Sequence, residues 1–462
     1  MMKENQIRVD PVREIAVKIL TRIHAHQGYL NIILNQTLEK ERVNIRDAAL
    51  INELTYGVVR NRHKLDWIIN QFARRESLPI PIWIKNILRT GVYQLLFLNK
   101  IPDYAACNES VQLAKKYGNP DLARFVNSIL RNILRKKNGI YWPDKEKEPI
   151  LYLSMVYSHP EWVVERWLKR FGWGKTLQIC EWNNTIPPLV IRTNSLKISP
   201  PELKKIMEEQ NIMVREGIFI PEAFYIRNLP NITSFFAYSK GYFQIQDEAS
   251  MLVSHLLSPL PGEMAIDVCS APGGKTTHLA QLMNNQGVIF ALDLNPGRLS
   301  VVKENCRRLG IKIVKTKLGD ATKLSPEFLG KADKVLVDVP CLGLGVLRRK
   351  PDLKWQEFTI DRLRQLSQVQ FQILSIACQY VKVGGSLVYS TCSTEPEENE
   401  EVINRLLNEN QNFDLEDISA FLQEKGLSRI NLSRQEGCLQ IFPGLFKLDL
   451  DGFFMAKLVR KR

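Results

Sequence analysis

The chain has 462 residues, 45% hydrophobic and 24% charged, with a formal net charge of +14 at pH 7. Such a length holds about two to four domains, and the composition excludes a disordered or fibrous protein. No apolar run reaches the ~18 residues of a membrane span, and the charged start MMKENQIRVDPVRE lacks a signal-peptide core, so a soluble cytoplasmic protein is expected.

The charge is unevenly placed. Residues 1–140 carry 23 Lys and Arg against 12 Asp and Glu, a net +11, whereas residues 141–462 carry 40 against 37, a net +3. A basic region joined to a nearly neutral one fits a polyanion-binding module and fits a solvated basic face equally well.

Residues 10–137 read as helices throughout. PVREIAVKILTRIHA, DAALINELTYGVVRNRHKLDWIINQFA, PIWIKNILRTGVYQLLFL and DLARFVNSILRNILRKK space their apolar residues at three and four. Pro79, Pro81, Pro102, Gly118 and Pro120 fall between segments, which predicts an all-α bundle. Basic residues cluster at Arg60–Lys64 and Arg135–Lys137. Residues 138–158 read as a linker. From Pro160 to residue 245, helical and strand-like stretches mix as in a small α+β domain. From residue 262 the pattern alternates, with strands predicted at 264–268, 288–292, 312–316, 334–338 and 386–390. This is the pattern of an α/β, Rossmann-like domain with a mainly parallel sheet, and ligands of such sheets bind beyond the carboxyl ends of the strands.

Candidate residues fall at those ends. The first strand runs into Cys269-Ser270-Ala271-Pro272-Gly273-Gly274-Lys275-Thr276 and a helix. Paired glycines before a helix allow close backbone approach of a ligand. Asp293 follows 19 residues after Gly274 at the next strand end, a placement suited to ribose hydroxyls. A nucleotide-triphosphate loop would need glycine where Cys269 stands, and the dinucleotide fingerprint G-x-G-x-x-G is absent. Asp320 follows the third strand, suited to an adenine amino group or to an Asx turn. Asp338 ends the fourth strand, just before Pro340-Cys341, and Cys392 follows the fifth. Thr394 and Glu397 have capping-box spacing, so the glutamates of 395–401 read as helix-start charge. None of the eight cysteines forms a C-x-x-C pair, and no metal site is expected.

The run Asp267-Val268-Cys269-Ser270-Ala271-Pro272-Gly273-Gly274-Lys275-Thr276, the Pro340-Cys341 pair and Ser390-Thr391-Cys392-Ser393 resemble the RNA cytosine-5 methyltransferases. Gln244–Ser250 and Asp451-Gly452-Phe453-Phe454 fit the same family, and the helical region resembles the antitermination factor NusB. That arrangement, over about residues 8–460, resembles the bacterial 16S ribosomal RNA cytosine-C5 methyltransferases of the RsmB or Sun type. Departures are Ser270, where many relatives have alanine, and Gly444 after Pro443, where many have histidine. The resemblance implies a NusB-like RNA-binding domain at 1–140, a linker and small α+β RNA-binding subdomain at 141–245, and a catalytic domain at 246–462. It implies S-adenosylmethionine bound by Cys269, Ser270, Ala271, Pro272, Gly273, Gly274, Lys275, Asp293, Arg298, Asp320 and Asp338. It further implies Cys392 as the nucleophile on cytosine carbon 6, Cys341 as the residue of the release step, and Asp338 at the cytosine ring edge. The target would be cytosine 967 of 16S RNA, naked or in an early assembly intermediate, and the enzyme a monomer without metal. A transfer-RNA cytosine methyltransferase shares the catalytic motifs, and an RNA-binding assembly factor with a silent transferase domain is the non-enzyme alternative; the intact thiols, Asp293 and glycine loop argue against silence.

Overall fold

The computed structural model describes residues 9–26, 28–73, 80–229, 232, 235–356, 359–433 and 435–462; Pro79 lies outside them. The chain divides into two compact units, one of Met1–Thr185 with Lys350–Glu357, the other of Ile186–Arg349 with Phe358–Arg462.

The first unit is helical: α1 (Pro11–His26), α2 (Leu30–Lys40), α3 (Ile45–Arg60), α4 (Arg62–Phe72), α5 (Ile82–Phe97), α6 (Asp103–Tyr117), α7 (Pro120–Arg135), α8 (Pro149–Tyr157) and α9 (Glu161–Asn183). The apolar run of residues 47–73 is two helices, because Asn61 leaves helical geometry between α3 and α4. Residues 149–157, expected as linker, form α8, which ends on Ser158 in the left-handed region. Helix α5 is buried nearly all round, and its polar residues are satisfied inside the bundle: Arg89 makes a two-pronged contact with Asp66, at 2.7 Å for both nitrogens. The basic cluster at 60–64 is not an open cationic face. Arg60 is buried, Arg62 lies 5.3 Å from the Trp355 ring, His63 packs against the same ring at 4.4 Å, and Lys64 lies over Phe97 and Trp142.

The second unit begins with a four-stranded antiparallel sheet in the order β2-β3-β1-β4, where β1 is Leu189–Thr193, β2 Met213–Glu216, β3 Ala223–Arg227 and β4 Phe243–Ile245. Its helices are α10 (Pro200–Glu209), closed by a Ser199–Glu202 capping box, and the short α11 (Phe236–Ser239). Helix α12 (Glu248–Leu257) leads into the larger sheet.

That sheet holds β5 (Met264–Asp267), β6 (Val288–Asp293), β7 (Val314–Leu318), β8 (Ala332–Asp338) and β9 (Val381–Thr391), all parallel, in the order β9-β8-β5-β6-β7. All five predicted strands are present. Helices α13 (Gly274–Leu282), α14 (Pro296–Leu309), α15 (Ile360–Tyr380), α16 (Glu400–Glu409) and α17 (Ser419–Glu424) complete the unit. The sequence reading did not anticipate the antiparallel extension beyond β9, in which β12 (Phe453–Arg460) pairs with β9, β10 (Phe413–Leu415) and β11 (Cys438–Ile441). Side chains such as Ile266, Val335, Val337, Leu387 and Tyr389 are completely buried, as expected for parallel strands covered on both faces. Register places Asp338 beside Ser390, and Asp267 between Leu336 and Ala291. The carboxyl ends of β9, β8, β5 and β6 therefore open side by side.

Among the described residues, no helix is long and apolar enough to cross a membrane.

Candidate active site

The loop after β5 is held by its backbone. Ser270 N–H donates to Leu292 O (2.8 Å), Gly273 N–H to Ser270 O (2.7 Å), and Ala271 N–H to Asp293 Oδ2 (3.3 Å). From α14, Arg298 Nη2 donates to Ala271 O (2.7 Å) and Asn305 Nδ2 to Pro272 O (3.0 Å). The Ala271–Pro272 peptide is cis. Gly273 has φ +99°, a left-handed conformation that glycine alone adopts freely. A Cβ at Gly274 would meet only Gln246, at 3.9 Å, so the start of α13 is open to a ligand. Asp293 also accepts from Asn295 N–H (2.9 Å), and Arg298 stands 3.9 Å from its carboxylate. The expected residues 269–275, Asp293 and Arg298 thus form one constellation. Burial, then the Asp267, Asp338 and Asp293 carboxylates, push the Cys269 pKa up.

Asp267, not singled out from sequence, lies beneath this loop. It is 1% exposed, accepts from Thr276 Oγ1 (2.6 Å), and burial pushes its pKa to about 7. Asp320 closes an Asx-type turn, accepting from Thr322 N (3.0 Å) and Oγ1 (2.6 Å), and these bonds hold its pKa down. This is the turn reading that its position allowed.

Beyond β8 and β9 a second constellation forms. Asp338 accepts from Lys275 Nζ (2.7 Å) and from Ser390 Oγ (2.8 Å). Lys275 also lies 4.8 Å from the Phe453 ring centroid. It is therefore a partner of Asp338, joining the β5 loop to β8 and to the Asp451–Phe454 motif. The two thiols, 51 residues apart in sequence, meet with their sulfurs 3.3 Å apart. The hydrogen bond to Cys392, then burial, raise the Cys341 pKa well above its usual value. Backbone packing fixes the Cys392 turn: Gly345 N–H donates to Cys392 O (2.9 Å) and Gly452 N–H to Gly345 O (2.8 Å). This gives Gly452 of the Asp451–Phe454 motif its place. In the same motif Asp451, with Asp247, binds Arg349 at 2.6 Å each.

The glutamates of 395–401 are not simply helix-start charge. Helix α16 starts at Glu400 behind Asn399, Thr394 donates to Glu395 (3.1 Å), and Glu395 and Glu398 are completely buried. Elsewhere in the unit, His255 and His278 both direct Nε2 at Glu222 Oε1 (2.7 and 2.9 Å). His278 Nδ1 is buried without a partner. A metal-binding histidine ordinarily donates from its second nitrogen, so this donor set fits a hydrogen-bonded triad in which both imidazoles carry the proton on Nε2.

Comparison with known proteins agrees with this architecture. Residues 254–459 match the family described as 16S rRNA methyltransferase RsmB/F, residues 10–135 the NusB family, and residues 159–233 the ferredoxin-like domain of RsmF/B-like methyltransferases. The chain is 36% identical over 451 residues to the probable ribosomal RNA small subunit methyltransferase B of Bacillus subtilis, covering 97% of this chain and 99% of that protein. It is 31% identical to the ribosomal RNA small subunit methyltransferase B of Klebsiella pneumoniae, covering 98% of each. Among solved structures, PH0851 matches with a TM-score of 0.82 at 28% identity, covering 98% of this chain and 100% of that one. NSun6 from Pyrococcus horikoshii, solved with the S-adenosylmethionine analogue SFG, matches with a TM-score of 0.57 at 27% identity over 66% of this chain and 98% of its own. With a NusB-like helical domain, a small middle domain and a methyltransferase sheet in that order, the chain belongs to the RsmB/F family of S-adenosylmethionine-dependent 16S ribosomal RNA methyltransferases.

Proposed function

We propose that the enzyme methylates carbon 5 of a 16S RNA cytosine through a covalent bond between Cys392 and carbon 6. The observation that carries this reading is the contact of two thiols from neighbouring strand ends, 3.3 Å apart and adjoining the Asp338–Lys275 pair. S-adenosylmethionine supplies an electrophilic methyl group when bound. The residues fit that cofactor: Gly273 and Gly274 leave the backbone approachable, Asp293 stands at the end of β6 for the ribose, and the buried Ser270 hydroxyl lacks a protein partner. Arg298 holds the loop through Ala271 O, and Asp320, bonded to Thr322 and paired with Lys323, follows β7 at the same sheet end for the adenine.

Carbon 5 of cytosine is a weak nucleophile. Addition of the Cys392 thiolate to carbon 6 moves an electron pair onto carbon 5, which then bonds to the methyl group as S-adenosylhomocysteine leaves. One hard step becomes two easier ones. The carbon 5 proton must then depart, and its electron pair expels the Cys392 sulfur from carbon 6. Cys392 is the nucleophile of the pair in this reading, and Cys341 stands beside it for the release step. Cys341, whose sulfur lies 3.3 Å from that of Cys392, is the base of the release step: it gives its own proton to solvent and, as the thiolate, takes the carbon 5 proton. Asp338, fixed from both sides, presents a carboxylate to the cytosine edge.

The helical unit is the RNA grip in this reading. Arg124, Arg131 and Arg135 of α7 line a groove of 1410 Å³ with Lys115 and Tyr104 of α6, and Tyr104 is 78% exposed; phosphate contact and base stacking are what such a surface offers. The test is a pair of variants. Cys392→Ala should give neither methylation nor adduct. Cys341→Ala should trap a protein–RNA complex that survives denaturing electrophoresis and carries label from the methyl donor. The opposite assignment of outcomes overturns the roles. Bisulfite sequencing of 16S RNA from a strain lacking the gene reads the modified position, with cytosine 967 as the expected one.

A further inference from the structure

Glu398 and Asn399 are neighbours in sequence, both completely buried, and they grip different turns. Glu398 Oε1 accepts from Leu342 N–H, the residue after Cys341, at 3.0 Å. It also accepts from Gln370 Nε2 (2.9 Å), which donates in addition to Pro340 O, the residue before Cys341, at 2.8 Å. Glu398 and Gln370 thus clasp the Cys341 turn from both sides. Asn399 does the same for the other thiol. Its Oδ1 accepts from Thr391 Oγ1 (2.6 Å), before Cys392, and its Nδ2 donates to Ser393 O (3.2 Å), after it. Gln440 Oε1 accepts from the same Nδ2 (2.8 Å), and Gln440 Nε2 donates to Phe453 O (3.1 Å), tying the clasp to β12.

We propose that Glu398 and Asn399 are paired positioning residues, Glu398 setting the Cys341 turn and Asn399 the Cys392 turn, so that one backbone step fixes the spacing of the two sulfurs. The inference rests on the covalent reading of Cys392. A buried carboxylate is costly where packing alone is needed, and this one spends its bonds on the backbone beside a reactive thiol. Its burial, which pushes the carboxyl pKa up to about 7, is consistent with a geometric role. Glu398 also lies against the Ser393 side chain, but its bonds to Leu342 and Gln370 fall on the Cys341 turn, so its removal should impair release more than addition and removal of Asn399 the reverse, which general loosening of the core would not do.

The experiment uses the full-length enzyme, 16S RNA and a labelled methyl donor. Glu398→Ala should slow release, so that labelled adduct accumulates about tenfold or more above wild type while turnover falls by about 10- to 100-fold, in line with small misplacements of reacting groups. Gln370→Ala, which removes the donor shared by Pro340 O and Glu398 while leaving the carboxylate bonded to Leu342 N–H, should also accumulate adduct. Glu398→Gln keeps an oxygen for Leu342 N–H and should restore turnover. Asn399→Ala, placed in the Cys341→Ala background, should cut the trapped adduct about tenfold. The melting shift given by S-adenosylhomocysteine should persist in every variant. Equal slowing of both halves by Glu398→Ala and Asn399→Ala, or no adduct in either Glu398→Ala or Gln370→Ala, overturns the proposal. If Cys341→Ala alone traps nothing, the covalent reading has failed instead.

Discussion

The β5 loop and the two thiol turns stand at the same end of one sheet, yet they are held by different means. The β5 loop is held largely by groups close in sequence: Leu292, Asp293, Arg298 and Asn305 all lie within 36 residues of Cys269, with Arg192 on Gly274 O and Asp338 on Lys275 reaching it from farther away. The thiol turns are held by Gln370, Glu398, Asn399, Gly345 and Gly452, drawn from a stretch of more than 100 residues. The first arrangement draws most of its bonds from the pairing of β5 with β6 and from α14. The second exists only when β8, β9 and the antiparallel β12 are all in place. A cofactor site of this kind tolerates change elsewhere in the sheet, whereas the thiol pair depends on the C-terminal extension.

The sharpest way to separate the two is Gly345→Ala. A Cβ there would lie 2.3 Å from Gly452 O and 2.8 Å from Cys392 O, both backbone atoms that cannot swing aside. The Cys392 turn must shift, at a cost of about 1–3 kcal/mol in stability and about 100-fold in methyl transfer. S-adenosylhomocysteine should still raise the melting temperature. Methylation at the wild-type rate would show that the close approach is incidental.

Asp293→Ala makes the complementary cut. It removes the carboxylate at the ribose position and the acceptor for Ala271 N–H. At about 100 times the dissociation constant, a ligand stabilises the wild type by about 2.7 kcal/mol; the variant should show no melting shift at that concentration, while its two sulfurs remain paired. A retained shift would move the nucleoside site away from β6.

The same division governs what the sequence made legible. The β5 loop, Asp293 and the five parallel strands follow from local spacing, because glycines, strand runs and an acidic residue at a fixed interval act within one βα unit. Both thiols were identifiable from their motifs, and their meeting follows from β8 and β9 being neighbours. Glu398 and Asn399 were not identifiable as clasps. In a run of five acidic residues and an asparagine, charge at a helix start is the ordinary outcome, and only tertiary packing shows that Glu395, Glu398 and Asn399 are buried. The basic run at 60–64 misleads for the same reason: Arg60 turns inward and Arg62 and His63 lie against Trp355, a residue some 290 positions away. Asp320 offered two readings at equal spacing, and the structure places its carboxylate in the turn with Thr322.

The remaining prediction concerns Asp267, where the two regions meet: it receives a bond from Thr276 below the β5 loop and lies near the Asp338 carboxylate and the Lys275 ammonium. Burial raises its pKa from 3.8 to about 7. The folded protein then binds this proton more tightly than the unfolded chain does. Its contribution to stability is fully present below about pH 4, and it is lost progressively as pH rises toward 7, after which the loss is constant. A shift of this size corresponds to about 4 kcal/mol at most. Asp267→Asn is neutral throughout, retains an oxygen for the Thr276 hydroxyl, and lacks the loss. The melting temperature of the variant relative to wild type should therefore climb between about pH 4 and pH 7 and level off above. The slope carries the information, since any pH-independent cost of the amide moves the whole curve without tilting it. A difference that stays flat across that window would mean that Asp267 ionises in the folded protein as easily as in water, and that Lys275 neutralises this carboxylate as well as Asp338.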